Sequence, residues 1–104
     1  MNHKISGDNN SKNIVVHKGD TIEIQLDETP TTGYSWEIDN IDSQILGFQS
    51  SDYKVYSTAG IGGGGIRSMK FLVNGEGKGS IKLKNWRKWS GDIYQKFEIA
   101  VNAQ

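Results

Sequence analysis

Five runs of this chain alternate apolar and polar residues with a period of two, and that pattern limits the open folds more than any other feature. Ile22, Ile24 and Leu26 are separated by Glu23 and Gln25, and Tyr34, Trp36 and Ile38 by Ser35 and Glu37. Met69, Phe71 and Val73 alternate with Lys70 and Leu72, Ile81 and Leu83 with Lys82 and Lys84, and Phe97, Ile99 and Val101 with Glu98 and Ala100. Period two places successive side chains on opposite faces of a strand, so each run has one face for a core and one for water. Weaker strand patterns cover Ile14–Val16 and Tyr53–Tyr56. No window carries the 3.6-residue period of a helix, although Asp42–Leu46 is long enough for one turn. Short strands with breakers between them, seven or so in number, predict an all-β domain, a two-sheet antiparallel β-sandwich.

Length and composition agree with one such domain. The 104 residues, 35% hydrophobic and 10% aromatic, suffice for a single core and lack the composition of a disordered chain. The polar stretch 1–12 is expected to be an N-terminal tail and the sandwich domain to span 13–104. That stretch has no apolar core of a signal peptide, which leaves the cytoplasm, or a secreted or vacuolar location after trimming, as the expected compartments. No apolar run approaches the roughly 20 residues of a membrane span. With no cysteine, the chain holds no disulfide, no cysteine-ligated zinc and no cysteine nucleophile.

The breakers predict specific connections. Asn74-Gly75 is a turn signal of the kind that joins hairpin strands. In His17-Lys18-Gly19-Asp20, the glycine can supply a positive φ. Charge is balanced at 12 Lys+Arg against 12 Asp+Glu but unevenly spread. Eight acids and no base lie between Gly19 and Tyr53, whereas eight bases and three acids follow Ile66. A basic half can serve nucleic acid, yet zero net charge favours acidic and basic strands facing each other within one fold.

Three connections are chemically unusual. Glu28-Thr29-Pro30-Thr31-Thr32-Gly33-Tyr34 is stiff: Pro30 fixes its own φ and biases Thr29 towards extended backbone, and the threonines have restricted χ1 angles. Gly60-Ile61-Gly62-Gly63-Gly64-Gly65 matches a dinucleotide-loop pattern by spelling, but a strand rather than a helix follows it. Asn85-Trp86-Arg87-Lys88-Trp89 combines two tryptophans with two bases, the composition of an interface hot spot. Alternation from Ile81 and Leu83 points Trp86 away from the core. No serine sits on a nucleophile elbow, no His, Asp and Glu spacing suits a metal, and the carboxylates are scattered, so nothing supports an enzyme or a cofactor.

Taken in order, these three loops resemble the motifs of the chagasin family of cysteine protease inhibitors. The family's Asn-Pro-Thr-Thr-Gly-aromatic motif stands here as Thr29-Pro30-Thr31-Thr32-Gly33-Tyr34, and its Gly-x-Gly-Gly motif as Gly62-Gly63-Gly64-Gly65. Its Arg-Pro-Trp motif stands as Arg87-Lys88-Trp89. The correspondence runs from about Ile14 to Ala103, with Thr29 in place of the family's Asn and Lys88 in place of its Pro. The resemblance implies an immunoglobulin-like antiparallel β-sandwich of about seven or eight strands, and a monomer that binds a papain-family cysteine protease 1:1, without nucleic acid, membrane or cofactor. It also implies that Pro30, Thr31, Thr32, Gly33 and Tyr34 occlude the active-site cleft. Gly62 to Gly65 would then pair their backbone with the protease, while Trp89, supported by Arg87, packs on an aromatic surface. A non-inhibitory module that binds carbohydrate or protein through the same loop end is the alternative, with Trp86 and Trp89 as its platform.

Overall fold

A computed structural model of the chain describes residues 1–56 and 64–104. Its strands are β1 (Asn2–Ser6), β2 (Asn13–Val16), β3 (Thr21–Glu28), β4 (Ser35–Ile41), β5 (Leu46–Val55), β6 (Gly65–Val73), β7 (Gly77–Arg87) and β8 (Asp92–Ala103). They form two four-stranded sheets, β1-β3-β6-β5 and β2-β8-β7-β4. Alternation fills the space between them: Ile22, Ile24, Leu26, Met69, Phe71 and Val73 from one sheet meet Trp36, Ile81, Leu83, Phe97, Ile99 and Val101 from the other, all buried. All five strongly alternating runs lie in strands of this sandwich, except that Tyr34 stands just before β4.

Three details differ from the expectation. The sheets are mixed rather than purely antiparallel, because β1 runs parallel to β3 and β2 parallel to β8. The first sixteen residues therefore divide between the sheets as two edge strands, and parallel neighbours require such a crossing connection. Consequently the segment expected as a polar tail contains a paired strand, with Ile5 buried against the core. Lastly, the runs flanking Asn74-Gly75 are not hairpin partners. β6 and β7 lie in different sheets, and the connection arches across the sandwich with the Asn74 amide donating to the Ile45 carbonyl at 2.9 Å. The turn over Asp42–Leu46 is present, held by bonds from the Ile45 and Leu46 amides to the Asp42 carbonyl, both 3.1 Å. Gly19 takes φ 96° in the tight link before β3.

The charge asymmetry resolves as cross-strand pairing. Glu23 lies opposite Lys70, Glu37 opposite Lys84 and Glu98 opposite Lys82. At these positions an acid on one strand faces a base on its neighbour, whereas Lys84 lies opposite Lys96.

Registers also fix where the three unusual loops emerge. Glu28 pairs with Gly65, Val55 with Gly65, Ser35 with Trp86 and Arg87 with Asp92. The β3–β4, β5–β6 and β7–β8 connections thus leave the same end of the sandwich.

Candidate functional site

The Thr-rich loop is anchored by a buried acid. Glu28 ends β3 on its inward phase, and its carboxylate accepts from Arg67 Nη2 at 2.8 Å, Arg67 Nε at 3.2 Å and the Trp36 amide at 2.7 Å. One carboxylate thereby ties the end of β3 to the starts of β4 and β6. The Trp36 indole adds a bond to the Asp27 carbonyl at 2.9 Å. Between these anchors Pro30–Thr32 forms one 3-10 turn. Thr29 before the proline is extended, and Gly33 closes the turn at φ 86°, a left-handed conformation that suits glycine. The Thr32 hydroxyl and amide both donate to the Thr29 carbonyl, at 2.7 and 3.1 Å. Pro30, Thr31 and Thr32 are exposed at the tip, and Gly33 and Tyr34 are half-buried behind it.

The β7–β8 hairpin supports that loop from the side. The Arg87 guanidinium stacks 4.4 Å from the Tyr34 ring centroid and donates to the Thr32 carbonyl at 3.2 Å. Arg87 is therefore a brace for the Thr loop rather than only a support for Trp89. Trp89 is 77% exposed, yet one edge of its indole covers Gly33, where any Cβ would lie 2.8 Å from two ring carbons. Lys88, in the position of the family's proline, holds the Glu37 carboxylate at 2.7 Å. Glu37 also accepts from the Trp86 indole. Burial opposes ionisation of Glu37, but the Lys88 and Trp86 hydrogen bonds, together with the charges of Lys88 and Lys84, outweigh it and lower its pKa. Trp86 does face away from the core, with Lys84 Nζ seated 3.8 Å over its ring.

For the glycine loop, Gly62 and Gly63 lie outside the described residues. A Cβ on Gly65 would meet the Lys54 carbonyl at 2.2 Å, and one on Gly64 would meet Thr29 Oγ1 at 2.9 Å. Close packing within the chain thus requires these two glycines, and it sets Gly64 directly against Thr29 at the base of the Thr loop. The Tyr56 amide donates to the Gly64 carbonyl at 3.2 Å and closes the neck of the connection.

The sequence matches the model of the Chagasin family peptidase inhibitor I42 over residues 15–101. The chain belongs to the chagasin family of peptidase inhibitors. Among relatives of this family, amoebiasin-1 of Entamoeba histolytica is 33% identical over 104 residues, covering 96% of this chain and 98% of that protein. Chagasin of Trypanosoma cruzi is 25% identical over 109 residues, covering 99% of each. The crystal structure of the cysteine protease inhibitor EhICP2 from Entamoeba histolytica superposes with a TM-score of 0.89 at 21% identity, covering 99% of this chain and 96% of that one. Chagasin-family members are inhibitors of proteases, not enzymes. Beyond the motif residues of this family, the structure adds Glu28 and Arg67 as the anchor of the Thr loop, which motif spacing does not reveal. The available signal was a charged residue at an inward phase on each of two strands.

Proposed function

We propose that the chain inhibits papain-family cysteine proteases reversibly and 1:1, by placing the tip of its Thr loop over the catalytic cysteine. The observation that carries this reading is the bracing of Pro30–Thr32 in a 3-10 turn between Arg87 and the Glu28 anchor. A substrate lies extended in such a cleft so that a carbonyl faces the nucleophile; a tightly wound turn offers none in that geometry, so the loop occludes without being cut. Exposed Thr31 and Thr32 enter first. Backbone at Gly62–Gly65 approaches the protease on one flank and Trp89 packs on the other. Little order is lost on binding because the Thr loop is already fixed. A contact of standard size, roughly 1,600 Å² in total, is enough.

The carbohydrate-binding alternative keeps only Trp89 of its two-tryptophan platform, because Trp86 has Lys84 over its ring and Glu37 on its indole nitrogen. Thr31→Asp tests the occlusion reading: an unpaired charge driven into a closed cleft weakens inhibition strongly while the exposed position leaves the fold intact. A folded variant that inhibits as well as its parent refutes Thr31 as the plug.

A further inference from the structure

Resting on that reading of the loop end, we propose that Tyr94 forms with Tyr34 the rim of a second docking cleft, which takes a side chain of the bound protease and sets which papain-family enzymes are held. Among the described residues, the exposed large apolar side chains include Val55, Tyr56, Trp89, Ile93 and Tyr94, all at the loop end. Trp89 belongs to a family motif; Tyr94, 67% exposed on β8, does not.

A bulge in the β7–β8 pairing explains its position. Asn85 pairs with Gln95 and Trp86 with Ile93, so Tyr94 is the extra residue without a partner in the register. By simple alternation it would share the outer face of the sheet with Lys96 and Glu98. Bulges re-aim side chains, and here the Tyr94 ring sits 5.6 Å from the Tyr34 ring at 45°, at the open end between the two sheets. The register shift thus takes an aromatic ring out of the outer-face alternation and sets it beside Tyr34.

Behind the two rings is a cleft of about 410 Å³, with Thr29 and Thr32 on one wall and Asn85 and Gln95 on the other. Clefts of roughly 300–1,000 Å³ hold small ligands, so this one has room for a whole side chain. Asn85 is 4% exposed and its amide oxygen has no hydrogen-bond partner, while its amide nitrogen reaches Gln95 at 3.5 Å. Asp27, whose carboxylate accepts from the Tyr56 hydroxyl, also lines the cleft. With two aromatic rings at the mouth and the side chains of Thr29, Thr32 and Gln95 on its walls, the cleft suits a side chain that is apolar along its length and ends in a polar group. Thr29 and Thr32 belong both to this wall and to the Thr loop, so a protease seated on that loop covers the cleft mouth. The occupant is therefore the same protease, not an independent ligand.

The test measures inhibition constants of the parent protein, Tyr94→Ala, Tyr94→Phe and Thr31→Asp against papain and a cathepsin L-type protease, with thermal midpoints alongside. Expected is a rise of about tenfold or more for Tyr94→Ala on at least one enzyme, as for removal of an aromatic anchor, with Tyr94→Phe within about threefold of the parent. Tyr94→Gln replaces the alanine variant should that one melt early. Alanine or glutamine variants that inhibit both enzymes as the parent does, while Thr31→Asp fails, overturn the second cleft and leave the Thr plug standing. A folded parent that inhibits neither enzyme overturns both.

Discussion

Trp89 shows how one residue can be costly in the free protein and valuable in a complex. Most of its indole is in water, and one edge rests on Gly33. Truncation to alanine removes little from the fold and, in the proposed complex, a large anchor from the contact. Trp89→Ala should weaken protease binding by about 2 kcal/mol or more with an unchanged thermal midpoint. Equal inhibition constants for variant and parent would take the third loop out of the contact. Sequence phase sorted the other tryptophans correctly, because β7 is regular through Asn85 and holds Trp86 outward, and because Trp36 shares its phase with Ile38. Arg87 was less legible. Its long side chain crosses to Tyr34 and Thr32, and no local spacing records which neighbour it selects.

At the scale of elements, the Glu28–Arg67 pair decides how firmly the Thr loop is mounted. The Glu28 side chain is 1% exposed and that of Arg67 21%. Removing the charge of one partner leaves the other desolvated, at a cost near the low end for buried pairs since Arg67 keeps some solvent. Glu28→Gln should destabilise the fold by about 2–3 kcal/mol in urea unfolding, and weaken inhibition as well. Stability within about 0.5 kcal/mol of the parent, the scatter of ordinary surface substitutions, would show that the loop does not depend on this carboxylate. The pair was half visible in the sequence: Glu28 continues the inward phase of Ile22, Ile24 and Leu26, and Arg67 that of Met69 and Phe71. Each alone breaks the pattern, and only the register that sets them on neighbouring strands makes them partners. The edge strands were harder to read. β1 buries a single apolar residue, Ile5, and β5 has a register shift between Phe48 and Ser50 that interrupts its alternation. Asn74-Gly75 was legible as a turn but not as a crossing, because turn chemistry does not encode which sheet the next strand joins.

For the molecule as a whole, two acids predict how stability changes with pH. Asp20 is held well below the ordinary aspartate range, chiefly by the His3 side chain at 2.8 Å and then by the His17 amide at 3.0 Å, and it pins β1 to the start of β3. Glu37 is likewise lowered. A carboxylate with a depressed folded-state pKa contributes stability above its unfolded value and loses it as pH falls through the folded one. With ordinary values of 3.8 and 4.5 for the two groups, both contributions are complete in neutral solution and fade only in acid beneath those values. Thermal midpoints should therefore decline on acidification below that range, and less steeply for Asp20→Asn combined with Glu37→Gln. An identical acid profile for that double variant would remove these two groups from the account.

The central claim is that a braced loop on a rigid sandwich closes a protease cleft without being consumed. Its most direct test is a titration of active papain with the purified protein, following hydrolysis of a fluorogenic peptide. The account predicts stoichiometric, reversible loss of activity, with the inhibitor recovered uncut. Full papain activity in the presence of excess folded protein, or recovery of the chain cleaved within 29–34, would contradict it.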